Sequence, residues 1–159
     1  MNHLSRLPEA RPFIPPYRGG SCISIIAMIA LALMLSACSS LIAPYNETSY
    51  RYATSLKPEA MRLMKRATED YADHAAEVDA LMLKVEQAYE YVAGLPNNDE
   101  SAAQWKILKD PNQNLLGGFM KRWKKDGKLG KAFVDLARED LVGPAFDAII
   151  ELESLKIKQ

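Results

Sequence analysis

From Tyr45 to Val92 the residues Tyr45, Ser49, Tyr52, Leu56, Ala60, Leu63, Ala67, Tyr71, His74, Val78, Leu81, Val85, Ala88 and Val92 succeed one another at intervals of three and four. That spacing returns to one face of an α-helix at every turn, whereas a half-buried strand would alternate at every second residue. The stretch is therefore restricted to helix. Asn46 is the predicted N-cap. Pro58 has two readings: it opens a second helix capped by Ser55, or it kinks a single long one.

The remainder carries shorter runs of the same period. Gly94-Leu95-Pro96-Asn97-Asn98 predicts a turn, with Asn98 or Asp99 capping the next helix. A helix bearing Trp105, Ile107 and Leu108 is expected to stop at Asp110-Pro111, because a residue before proline is pushed out of the α region. Asn112 is the expected cap of a helix presenting Leu115, Leu116, Phe119, Met120 and Trp123 and ending near Asp126-Gly127. Gly117 and Gly118 are unfavourable inside it. The last run sets Phe133, Leu136, Ala137 and Leu141 on one side, breaks or kinks at Gly143-Pro144, and resumes with Phe146, Ile149, Ile150, Leu152 and Leu155. The fold class is all-α: a small antiparallel helical bundle, one long N-terminal helix with three or four shorter ones, at residues 46–159.

Ahead of the bundle the composition changes. Residues 1–21 hold Arg6, Arg11 and Arg18, and Cys22 to Leu35 contains no charge. These features read as the n-region and h-region of a secretory leader. Fourteen residues of helix span roughly 21 Å, short of the roughly 30 Å hydrocarbon core of a bilayer. The run ends in Leu35-Ser36-Ala37-Cys38, which resembles the lipobox of bacterial lipoproteins: leucine, two small residues and a cysteine. The resemblance implies a signal peptide at residues 1–37, recognised by the lipoprotein signal peptidase through Leu35, Ser36 and Ala37. It also implies a lipidated tether at residues 38–45, with diacylglycerol on the Cys38 thiol and an acyl group on the new amine. A thiolate is the side chain nucleophilic enough for that alkylation. Two or three acyl chains, at about 0.8 kcal/mol per buried methylene, anchor stably. By the sorting rule of enterobacterial lipoproteins, Ser39 implies the periplasmic face of the outer membrane; the alternative is the periplasmic face of the inner membrane. The rest of the chain resembles small helical lipoproteins of Gram-negative bacteria only loosely, and that likeness supplies no functional residues.

The whole chain balances 20 basic against 20 acidic residues, and without residues 1–37 it keeps 17 and 19. That composition predicts no bulk attraction to nucleic acid. With Cys22 in the leader and Cys38 lipidated, no internal disulfide is expected.

Four groups of residues are candidates for chemistry. Asp70, His74 and Glu77, at i, i+4 and i+7, share a helix face that would suit a divalent metal, but His74 is the only histidine beyond the leader and a bundle draws ligands from facing helices. Lys121, Arg122, Lys124, Lys125, Lys128 and Lys131 surround Trp123, a pattern suited to anionic headgroups or an acidic partner. Residues 69–100 carry nine acids against Lys84 alone, which suggests self-pairing between the two segments instead. Trp105, Phe119 and Trp123 with Met61, Met64, Met82 and Met120 suit either a core or an apolar pocket. Pairs of acids such as Glu139 and Glu151 are ordinary on charged helix faces, and the Asn46-Glu47-Thr48 sequon is expected to be chance. Without a free thiol, G-x-S-x-G or a phosphate-cradling loop, the expectation is no enzyme, no metal and no cofactor. A membrane-anchored interaction or scaffold module with a protein partner on the same membrane is the expected role; the alternative is a carrier of an apolar ligand or lipid.

Overall fold

The computed structural model describes residues 43–158. The stretch expected to be a signal peptide, residues 1–37 with Leu35, Ser36 and Ala37, lies outside the described residues, as do Cys38 and Ser39. Helices α1 (Glu47–Met64), α2 (Tyr71–Ala93), α3 (Asp99–Lys109), α4 (Leu116–Asp126), α5 (Lys131–Leu136) and α6 (Gly143–Leu155) form an all-α bundle, with no strand among the described residues. Short 3-10 turns at Lys65–Thr68 and Lys156–Lys158 extend α1 and α6.

The predicted spacing is the buried stripe of α1 and α2. Leu56, Ala60, Leu63, Ala67, Val78, Leu81, Val85, Ala88 and Val92 are all core residues. Asn46 caps α1, its Oδ1 accepting the Ser49 N–H at 3.0 Å. Pro58 lies inside α1, so the single-helix reading holds for Glu47–Met64. Ser55 is not a cap; its hydroxyl donates to the Arg51 carbonyl within the same helix.

The periodic stretch is divided at Thr68–Asp70. Here the chain leaves the helix through a 3-10 turn into extended backbone at Glu69 and Asp70. What makes the corner possible is distant in sequence. Leu129 N–H donates to the Ala67 carbonyl and Tyr71 N–H to the Gly127 carbonyl, both at 2.8 Å. The Trp123 indole N–H takes the Glu69 carbonyl at 3.1 Å. These bonds satisfy backbone groups that the broken helix frees.

Helices α1 and α2 are antiparallel, with Lys84 on Glu59 at one level and Tyr91 Oη on Asn46 Oδ1 at the other. Helix α6 returns antiparallel to α1, since Asp147 meets Lys57 and Arg138, just before α6, meets the Met61 carbonyl. Helix α3 runs back along α2, where Lys109 bonds Glu86. The turn at 94–98 forms as predicted, with a positive φ at Asn97, but Asn98, although it holds the N-cap position of α3, makes no side-chain cap bond and turns to the Val92 carbonyl and Lys156 instead.

Two of the shorter elements differ from their sequence reading. Asn112 does not cap α4. Asp110 instead accepts the Asn112 N–H, and α4 starts only at Leu116 without a side-chain cap. Gly117 and Gly118 are there because α4 begins against backbone: a Cβ would sit 2.1 Å from the Lys109 carbonyl oxygen at Gly117 and 1.8 Å from that of Gln113 at Gly118. The second difference is at Gly143-Pro144, where the chain does not break. A π-turn over Ala137–Val142 joins α5 to α6, and Gly143 N–H reaches back five residues to the Arg138 carbonyl. The extra residue in that turn absorbs the helix disruption proline brings, and it moves the buried stripe by one position. Val134, Ala137, Val142, Phe146 and Ile149 are buried, while Leu136 and Leu155 are exposed and Leu141 and Ile150 half-buried.

Candidate functional site

The described bundle has two chemically different ends. At the first converge the start of α1, the end of α2, the start of α3 and the end of α6. Ala43, buried ahead of α1, donates its N–H to the Asn97 carbonyl at 3.0 Å. Packed structure thus begins three residues before the predicted domain boundary at Asn46. Inside this end Lys156 is buried, and its ammonium donates to Asn98 Oδ1 (2.5 Å), Glu153 Oε1 (2.8 Å) and Ser101 Oγ (2.9 Å). Three acceptors use all three ammonium donors. Glu153 Oε2 is buried without a protein donor, as are Ser49 Oγ and the Trp105 indole N–H without an acceptor. The Asn98 amide also donates to the Val92 carbonyl, so this side chain ties α2, α3 and the C-terminal turn together.

The outside of the same end is apolar in places. Tyr45 is 38% exposed, Tyr91 37%, Leu155 45% and Ile157 60%. Tyr91 packs against Tyr52 and Tyr45 against Tyr50. Among the described side chains the exposed charges of the terminal turns here are Glu47, Glu90, Asp99, Glu100 and Glu151, with Arg51 one turn farther along α1.

The second end holds the α1–α2 corner, the last turns of α4 and the start of α5. His74 is buried there against the face of Trp123 and the carboxylates of two glutamates: Nε2 lies 2.8 Å from Glu69 Oε2 and Nδ1 3.1 Å from Glu77 Oε1. With an acceptor on each nitrogen the ring donates twice as imidazolium. Hydrogen bonding to Glu77, then to Glu69, raises the His74 pKa above 6.5 against the opposing effect of burial. The bond from His74, then that from Arg66, lowers Glu69 below 4.5.

Of the predicted Asp70, His74 and Glu77 set, the structure brings only the last two together. Asp70 turns to Lys128 at 3.0 Å, and Glu69 takes its place beside the ring. The two glutamates occupy opposite ring nitrogens, so they clamp the imidazolium rather than converge on one ion. Among the described residues, no group of three His, Cys, Asp or Glu side chains is arranged to hold a metal. Sequence reasoning misses Glu69 because it lies outside the helix whose spacing defines the set.

The basic cluster is exposed at this second end, and its pairing is mostly local. Arg122 bonds Asp126 and lies over Phe133, Lys121 bonds Asn112, and Lys131 bonds Asp135. That last bond lowers the Asp135 pKa, with Arg138 and Lys65 adding to it. Lys124 lies 6.0 Å from the Tyr71 ring. Only Lys128–Asp70 realises the expected pairing with the acidic stretch 69–100. Other acids of that stretch meet lysines elsewhere, as Glu86 does Lys109.

The aromatic and methionine set is core. Trp105, Phe119, Trp123, Met64 and Met120 are buried in one cluster, Met82 packs against it, and Trp105 meets Phe146 edge to face. Met61 lines an open surface groove of about 410 Å³ with Lys57, Pro58, Arg62, Lys65 and Arg138. No helix among the described residues is long and apolar enough to cross a membrane. Comparison with known proteins gives no matching family model, no matching curated protein and no matching solved structure.

Proposed function

We propose that this chain is a lipoprotein whose helical domain, held to a membrane through lipid on Cys38, works as a non-enzymatic interaction or scaffold module. The observation that carries the reading is Leu35-Ser36-Ala37-Cys38 closing an uncharged run just ahead of the bundle. Five residue steps separate Cys38 from Ala43, which reach at most about 17 Å. A domain on so short a tether meets partners on the same membrane at high effective concentration. Serine at position 39 favours the periplasmic face of the outer membrane.

Intact-mass spectrometry of the membrane-extracted protein tests this, with and without the signal-peptidase inhibitor globomycin and beside Cys38→Ser. The expected result is a chain beginning at acylated Cys38, absent from the variant, with a lipid-modified but uncleaved precursor under the inhibitor. An unacylated chain, or a leader retained without inhibitor, would sink the proposal.

A further inference from the structure

The exposed apolar side chains at the Ala43 end call for a covering surface, and the chain supplies an argument for what that surface is. Tyr45, Tyr91, Leu155 and Ile157 project from elements that all terminate at this end, beside the residue where the described chain begins. If Cys38 carries lipid, covalent geometry keeps its Cα within about 17 Å of Ala43. The opposite end is much farther away, because α2 alone has 23 residues and so is about 34 Å long. We infer that Tyr45, Tyr91, Leu155 and Ile157 dock the Ala43 end into the headgroup region of the bilayer that holds the anchor, leaving the basic end facing away from it. The inference rests on the lipoprotein reading above.

The chemistry of the end suits that occupant. Tyrosines are amphipathic and favour the membrane–water interface, and isoleucine and leucine gain by leaving water there. Among the described side chains the exposed charges of the terminal turns are acidic, so the docking is apolar. The buried Lys156 is consumed by its three acceptors and offers no charge to lipid phosphate. The lysines and Arg122 of the α4 end, which would attract anionic lipid, sit about the length of α2 from Ala43, so docking through the Ala43 end holds them away from the bilayer.

The full lipidated protein tests this. Beyond the leader Cys38 is the only cysteine, so Ile157→Cys and, separately, Lys125→Cys each give one free thiol for an environment-sensitive dye. Each labelled protein is placed in vesicles of phosphatidylcholine and phosphatidylethanolamine, with and without nitroxide-bearing lipid, and acylation is read by intact mass on the same sample. The expected result is a blue-shifted emission at position 157 that nitroxide lipid quenches, a water-like unquenched emission at position 125, and no change on adding phosphatidylglycerol. An acylated protein whose two positions behave alike overturns the docking and leaves the anchor standing. A blue shift at 157 without quenching also overturns it, since the cover is then protein: residues of this chain or a second copy. Quenching at 125 in place of 157 would mean the basic end is the one that docks. An unacylated protein removes the anchor and the docking together.

Discussion

The two ends of the bundle are held by opposite means. At the Ala43 end an ammonium and a carboxylate are taken wholly into the interior, and the network around them joins three segments of chain. At the α1–α2 corner the buried groups are an indole and an imidazole whose two glutamate partners reach the surface, the lysine and arginine pairs lie outside, and backbone hydrogen bonds close the turn. Buried charge concentrates dependence on single residues, because removing one partner strands the other without water. Surface pairs spread that dependence thinly, since each is worth little on its own.

Lys156→Met is the strongest way to break the contrast. It strands Glu153 and is expected to cost about 3–5 kcal/mol, measured by urea unfolding, while Glu153→Leu combined with Lys156→Met should recover most of the loss. If the single variant unfolds like the wild type, the buried pair does not organise that end. At the corner, Trp123→Phe removes the indole N–H from the Glu69 carbonyl and leaves a small cavity where the larger ring was buried. A loss of about 2–3 kcal/mol is expected, with faster amide exchange at the corner than elsewhere.

The His74 clamp gives the corner a pH dependence. Its raised pKa means that the contribution is full below about pH 6.5 and lost as pH rises through the folded value. Glu69, lowered, contributes fully above about pH 4.5, and its share is lost as pH falls through the folded value. The clamp therefore acts fully between about pH 4.5 and 6.5. Thermal midpoints of wild type and His74→Gln should be farthest apart in that window and converge as the solution is made alkaline; parallel curves would show that the imidazole is only packing. Smallest of all, Lys128→Ala, which frees half-exposed Asp70, should change stability by no more than about 0.5 kcal/mol.

How much of this is legible in the sequence depends on the range of the interactions. The stripe through α1 and α2, the Asn46 cap and the stop at Asp110-Pro111 depend on neighbours within a turn or two, and their residues state it. The corner at Thr68–Asp70 is invisible locally, since the apolar interval of four from Ala67 to Tyr71 continues through it and the bonds that stabilise it come from residues 123–129. Leu136 and Leu155 read as core from spacing taken separately on the two sides of Gly143-Pro144, which does not reveal the interval of five, from Ala137 to Val142, that the π-turn puts into the buried stripe. Glu153 and Lys156 escape notice for the complementary reason: at i and i+3 they read as a solvated pair, and only the shifted stripe, running on from Ile149, turns them inward. The candidate metal face divides in the same way, with His74 and Glu77 legible on one helix and Glu69, just outside it, not.

The π-turn at Ala137–Val142 has a consequence for how this chain tolerates change in length. An α-helix rotates about 100° per residue, so the surplus residue there acts as a phase adjuster between two otherwise rigid cylinders. Deleting one residue from the turn would restore a plain α-helix and shorten the buried interval from Ala137 to Val142 from five to four, so everything after it would keep its facing. Phe146 would stay on Trp105 and Lys156 on Asn98. The same deletion inside α6, between Phe146 and Lys156, would swing Lys156 away from Asn98 by that angle. A single deletion is thus admissible in the loops of this bundle and at the one place where its sequence already carries an extra residue, and barred from the plain helices.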